Sequence, residues 1–159
     1  KSYANQAFKE SMVQQDISYE SFISKPTPMN TLFWSVTAAG ENGFYNGFYS
    51  ILDKDKSIQF EYEEQQAALL APYRGHPKLE RLLEITKGYY TVEQAEKGIY
   101  INDLRFGKFD GWRKEGGRYV FVYHVWRNEE GDLEFDEINY RPKVDREYLL
   151  AYWNRITGK

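Results

Sequence analysis

The residues with the clearest chemical potential lie in one short segment, 99–107, which reads Ile-Tyr-Ile-Asn-Asp-Leu-Arg-Phe-Gly. Strand alternation would place Asp103 and Arg105 on one side of a strand, with Leu104 and Phe106 on the other. Charges on an inward side need a partner, because burying an unpaired charge is costly. Two interpretations follow. Either Asp103 and Arg105 form a pair that ties strands together, or Arg105 binds an anionic ligand in bidentate fashion and Asp103 orients it.

Aromatic side chains are the second feature of interest, since Phe, Trp and Tyr make up 18% of the chain. Such residues favour strands, and a sheet core with tyrosines at its edges would account for them. The alternative is an aromatic-lined groove that binds a ligand, for which Trp34, Tyr45 and Trp126 are the candidates. Both interpretations stay open at the level of the sequence.

Composition and motifs exclude several classes of chemistry. The formal charge of −3 gives no basic excess for nucleic acid, and the absence of cysteine excludes disulfides, thiolate metal sites and cysteine nucleophiles. The sequence contains no phosphate-binding glycine loop, no GxSxG elbow and no HExxH motif. Of its two histidines, His76 is typical of a helix N-terminus and His124 of a hydrogen-bonded core position. We therefore predict no catalytic centre, no metal site and no cofactor within this chain.

Hydrophobic periodicity predicts three helices, an N-terminal one over 2–16, a central one over 77–87 and a C-terminal one over 145–157. The strands are expected in segments separated by turn residues, namely 31–38, 44–52, 58–62, 89–94, 99–106, 118–127 and 133–140. The prolines at 26 and 28 exclude a helix there, and 65–75 is expected to hold at most a short helical turn. These elements predict an α+β fold, with an antiparallel sheet of about six or seven strands, in a single domain over 1–159. With no apolar run long enough to span a bilayer, this domain is expected to be soluble.

Five short motifs occur in an order that resembles one known family. They are Pro-Thr-Pro-Met-Asn-Thr-Leu-Phe-Trp at 26–34, Gly-Phe-Tyr-Asn-Gly-Phe-Tyr-Ser at 43–50, Lys-Gly-Tyr-Tyr-Thr-Val at 87–92, Ile-Asn-Asp-Leu-Arg-Phe-Gly at 101–107 and Tyr-Val-Phe at 119–121. Together they resemble the soluble C-terminal portion of the inner-membrane, LexA-regulated YdjM-like group, which is described as metal-dependent hydrolases. The similarity runs from about residue 15 to residue 125.

This resemblance implies a membrane-bound setting. The chain would be cut from a longer inner-membrane protein, its partner would be the membrane-spanning part of the same polypeptide, and the helix over 1–15 would continue from the last membrane helix. A divalent metal would belong to that membrane part, where the family's presumed ligands lie, so no metal ligand transfers to this chain. The matched positions that do transfer include Trp34, Asp103, Arg105 and Gly107, and the resemblance assigns them no chemical role and the domain no side of the membrane.

Three functional hypotheses follow from these observations. The first is a non-catalytic accessory domain that covers or gates the membrane-bound hydrolase, or binds its substrate. The alternative is a ligand-binding module for a small anionic or glycan ligand, with an aromatic-lined groove and Arg105 as the anion contact. The third is an enzyme that uses Asp103 or Glu137 as its acid–base group.

Overall fold

The computed structural model describes residues 1–113 and 117–159. Contacts within the chain group these residues into two compact units, which we call unit 1 (Lys1–Glu63 with Pro142–Lys159) and unit 2 (Glu64–Arg141). The predicted α+β class is confirmed. The described residues form eight strands in two four-stranded antiparallel sheets, however, where the sequence predicted one sheet of six or seven strands.

Unit 1 contains the first sheet, with its strands in sequence order, and two α-helices. Its elements are α1 (Ser2–Gln14), β1 (Ser21–Pro26), β2 (Phe33–Ala39), β3 (Gly43–Ser50), β4 (Phe60–Glu64) and α3 (Arg146–Ile156). Three of these strands were expected, whereas β1 was not. It lies at the sheet edge, where its terminal Pro26 pairs in register with Trp34 and the missing N–H of proline is tolerated.

The core of unit 1 forms where α1 packs on the first sheet. Ala4, Phe8 and Met12 recur every four residues and are fully buried, as the periodicity predicted. They lie in one cluster with Val36 and Tyr49 of the sheet. Phe33, the first residue of β2, lies on the opposite face from Val36 and contacts α3 instead, so this sheet is covered by a helix on each face.

Tyr49 gives this core a dependence on high pH. Burial, then the neighbouring Tyr3 hydroxyl and the charge of Asp53, raise the pKa of Tyr49 to about 12. A tyrosine in the unfolded chain ionises near pH 10, so the unfolded state loses its proton first. We therefore expect the contribution of Tyr49 to the free energy of unfolding to be constant below pH 10 and to fall between pH 10 and 12, by on the order of 2 kcal/mol. Urea unfolding across that range should show the full fall in the wild type and in Tyr62→Phe, an exposed control, and a smaller fall in Tyr49→Phe, where the raised pKa values of Tyr123 and Tyr152 still contribute.

Unit 2 contains the second sheet, also with its strands in sequence order, and the central helix. Its elements are a 3₁₀ helix (Ala67–Tyr73), α2 (Pro77–Thr86), β5 (Tyr90–Gln94), β6 (Ile99–Lys108), β7 (Tyr119–Arg127) and β8 (Leu133–Asn139). As predicted, α2 begins after His76, whose ring nitrogen accepts a hydrogen bond from the Lys78 N–H. Among the described residues no helix has the length and apolar character that crossing a bilayer requires.

The core of unit 2 lies where α2 covers one face of the second sheet. Leu79, Leu82 and Leu83 of the helix join a single buried cluster with apolar residues from each of the four strands. Residues on that face alternate with residues on the opposite one. Side chains of the opposite face, together with one charged pair at the end of the core, are the candidates for function.

Candidate binding surface

Asp103 and Arg105 contact each other directly within strand β6. The Arg105 Nε donates to both carboxylate oxygens of Asp103 at 3.0 and 3.2 Å, and Nη2 donates to Oδ2 at 2.7 Å. The backbone N–H of Arg105 also donates to Oδ1, at 3.0 Å. Asp103 is only 1% exposed and the Arg105 side chain 23% exposed. The pair therefore joins two positions of one strand, whereas the sequence interpretation had it tie different strands together.

The electrostatics around this pair follow from its burial and its bonds. Hydrogen bonding to Asp103 raises the pKa of Arg105, against the opposing effect of burial. Burial, followed by the charges of Glu137 and Asp103, raises the pKa of the nearby Tyr123. Two guanidinium nitrogens of Arg105 are already paired with a carboxylate, which is the geometry an anionic ligand would need. The arrangement favours the interpretation as a structural pair, and anion binding by Arg105 stays a prediction.

The alternation expected along this strand ends at Asp103. Leu104 is buried while Phe106 is 50% exposed, so the two do not share an environment as the pattern had indicated. The cause is a register shift between Asp103 and Lys108 in the pairing of β6 with β7. Gly107 lies within this irregularity at a φ of +72°, as in the bulges that end regular pairing.

The three aromatic candidates occupy different environments and different units. Trp34 is only 6% exposed, belongs to the core of unit 1 and donates its indole N–H to the Thr31 carbonyl at 2.9 Å. Tyr45 is half-buried in the same unit, with its ring 5.0 Å from that of Tyr62. Trp126 is half-buried in unit 2, on the sheet face opposite the core. Of the three, Trp126 is the one that belongs to a larger exposed aromatic cluster.

That cluster, which we call the aromatic row, consists of Tyr100, His124 and Trp126. The ring of His124 lies 4.9 Å from that of Tyr100 and 4.5 Å from that of Trp126, at interplanar angles of 39° and 31°. All three side chains are half-buried and share one face of the second sheet. Alternation along β7 puts His124 and Trp126 on a common strand face, but the cross-strand contact with Tyr100 depends on a register that the sequence pattern does not contain.

The aromatic row is held in place by the hairpin between β5 and β6. The Nε2 of His124 lies 2.5 Å from the Lys97 carbonyl oxygen. A carbonyl oxygen can only accept, so Nε2 carries the proton and Nδ1 is left as an acceptor in the neutral ring. His124 is thus hydrogen-bonded, as predicted, although it lies at the surface rather than in the core.

Exposed carboxylates surround the aromatic row. The register across all four strands aligns Glu93, Tyr100, His124 and Asp136, so that an acidic side chain lies at each end of this line. Glu134 pairs in register with Trp126. The surface therefore offers half-buried aromatic rings together with hydrogen-bond acceptors, and its negative charge disfavours an anionic ligand.

Side chains of the types that bind metal ions do not cluster in the part of the chain that the structure describes. Over residues 1–113 and 117–159, no group of three or more His, Cys, Asp or Glu side chains has an arrangement that could hold a metal ion. The carboxylates beside the aromatic row are spread along three strands, at Glu93, Glu134 and Asp136.

Comparison with known proteins gave no match to any family model, curated protein or solved structure. The likeness to the YdjM-like family thus rests on the order of the motifs.

Within the first of those motifs, residues 26–34, the structure gives Asn30 a clear local role. Its Oδ1 accepts from the backbone N–H groups of Leu32 and Phe33, at 3.0 and 2.7 Å, and its Nδ2 donates to the Tyr152 hydroxyl at 2.8 Å. Asn30 therefore shapes the loop before β2 and joins it to α3.

Proposed function

We propose that this chain is a ligand-binding module that binds a neutral glycan on the aromatic row. The observation that carries the proposal is the packing of three half-exposed rings, at 4.5 and 4.9 Å, between carboxylates on both sides. The rings are ordered before any ligand arrives, because His124 is bonded to the Lys97 carbonyl. Preordered side chains lose little conformational entropy on binding, which favours recognition.

The chemistry of a sugar suits both parts of this surface. Its C–H groups pack against aromatic rings, and its hydroxyl groups donate to carboxylate oxygens such as those of Asp136 and Glu134. A small anionic ligand, the other class expected from the sequence, would meet repulsion from the same carboxylates. Of the two ligand classes, the surface therefore supports the glycan.

The wider role stays a prediction that rests on the motif order. It places the chain as a non-catalytic accessory domain of an inner-membrane hydrolase, with the membrane-spanning part as its partner. A glycan-binding surface fits such a role, since an accessory domain of this kind would hold the substrate near the membrane-bound part.

Replacing Trp126 tests the proposal. The Trp126→Ala variant should bind the glycan about tenfold more weakly, because ring stacking contributes on the order of 1–3 kcal/mol. The Asp136→Asn variant should weaken binding several-fold through a lost charge-assisted hydrogen bond. A glycan array identifies the ligand, and calorimetry on that glycan measures the affinities. The exposed Tyr62 of unit 1 supplies the control, and Tyr62→Ala should bind as tightly as the wild type.

Several outcomes would count against a glycan site. The first is that no glycan on the array binds, and the second is that Trp126→Ala binds with unchanged affinity. The third is that only quaternary ammonium compounds bind, because the same rings and carboxylates can hold a cation. Near-UV circular dichroism of each variant, together with a second variant Trp126→Phe that keeps a ring, separates loss of binding from loss of the fold. Trp126→Phe should retain most of the affinity.

A further inference from the structure

The outer face of α3 carries an apolar patch that nothing in unit 1 covers. Leu149, Leu150 and Trp153 are 50%, 54% and 61% exposed. Helical spacing groups Leu149 and Trp153 with Tyr152 and Ile156 in one apolar stripe. The structure divides that stripe, because Ile156 is buried against the unit while the other face of the helix is left outside.

The helix is fixed to unit 1 through its inner side. Asp145 caps it by accepting from the Tyr148 N–H at 2.9 Å, and the Tyr152 hydroxyl donates to Thr27 at 2.6 Å. Arg155 pairs with Asp53 at 2.7 Å. The apolar patch is therefore presented on a helix whose orientation is already set, and its exposure is not a consequence of a loosely held segment.

Two basic side chains lie at the N-terminal end of the apolar patch. Arg146 precedes Leu149 and Leu150 by about one turn, on the same side of the helix, and Lys143 comes just before the helix begins. The segment 142–159 contains four basic and two acidic residues, whereas the whole chain has a net charge of −3. This segment thus carries a small net positive charge in an acidic chain, although Arg155 is already paired with Asp53.

We propose that α3 docks on the surface of an anionic lipid bilayer through Leu149, Leu150 and Trp153. Apolar residues with tryptophan insert at the boundary between headgroups and acyl chains, and flanking cations gain from anionic headgroups. A second copy of the chain is the alternative occupant. It would cover the apolar side chains but would not account for the cations beside them, and the experiment distinguishes the two.

Vesicle flotation of the full chain tests this proposal. We expect the protein to float with phosphatidylcholine vesicles that contain about 30% phosphatidylglycerol, and to remain behind with phosphatidylcholine alone. The Leu149→Ser/Leu150→Ser variant should lower the partition coefficient about tenfold or more, because the inserted apolar area is lost. Arg146→Glu should weaken binding to the anionic vesicles, and the wild type should bind less as salt is raised from about 0.1 M to about 0.5 M.

The matched control is Ile85→Ser, which removes an exposed apolar side chain from a different helix, α2. It should bind vesicles as the wild type does. Quenching of tryptophan fluorescence by brominated lipid should be strong in the wild type and largely lost in Trp153→Phe. The proposal is wrong if the wild type does not float with anionic vesicles, if the double serine variant floats equally well, or if light scattering shows a dimer that this variant abolishes.

Discussion

The Gly98→Ala variant is expected to lose most of its stability, about 4 kcal/mol or more of the free energy of unfolding. Gly98 has a φ of +78°, a conformation that alanine rarely adopts. A Cβ atom there would also lie 2.0 Å from the Val125 carbonyl oxygen and 2.8 Å from the Cα of Trp126. Both contacts are with backbone atoms of a central strand, so neither can be relieved by turning a side chain.

Gly88→Ala supplies the control for this prediction. Gly88 has nearly the same φ, +83°, but a Cβ there would meet nothing within 4 Å. The control should therefore lose only about 1–2 kcal/mol, the cost of the left-handed backbone alone. Urea denaturation of both variants measures the difference. Equal losses in the two variants would contradict the prediction, because they would show that the close approach of the two backbones at Gly98 does not add to the cost of a Cβ atom.

Asp103→Ala is the second substitution with a large expected effect, a loss of about 3–5 kcal/mol. It removes the acceptor for three donor groups of Arg105, namely Nε, Nη2 and the backbone N–H. The guanidinium is mostly buried and would be left without its carboxylate. Chemical denaturation of the variant at neutral pH measures the loss.

A double-mutant cycle that combines Asp103→Ala with Arg105→Ala separates the interaction energy of the pair from the effects of each residue's other contacts. We expect a coupling energy above about 1 kcal/mol. The exposed pair of Arg74 and Glu80 has the same two-nitrogen geometry, with side chains 54% and 40% exposed, so Glu80→Ala should cost no more than about 1 kcal/mol. If Asp103→Ala costs as little as Glu80→Ala, the pair is not structural, and anion binding by Arg105 becomes the better interpretation.

Local patterns predicted the helices well because their signals are local. The fourfold spacing of Ala4, Phe8 and Met12 and the His76-Pro77 start of α2 depend only on neighbouring residues. Strand β1 was missed because Pro26 is a poor strand residue by propensity, and only its place at the sheet edge makes it acceptable. The division into two sheets was missed for a related reason, since alternation describes one strand and does not say which strands pair.

The candidate site was partly predictable for the same physical reasons. Alternation along one strand puts Trp126 beside His124, but the partner Tyr100 lies on β6, and the register between β6 and β7 is not contained in the pattern of either strand. The contact between Asp103 and Arg105 was among the expected arrangements. Its restriction to one strand could not be predicted, because alternation puts both side chains on one side of β6 but does not say whether they pair with each other or with a neighbouring strand.

The order of the segments along the chain has a consequence for biosynthesis. Unit 2 is one continuous stretch, so every one of its strands has been translated before α3. Unit 1 must wait for α3, because the helix supplies the contacts of Ile156 with Ser50 and of Arg155 with Asp53, about a hundred residues apart in sequence. On the ribosome the inserted unit can therefore mature first, while the first sheet keeps its Phe33 face uncovered until α3 emerges.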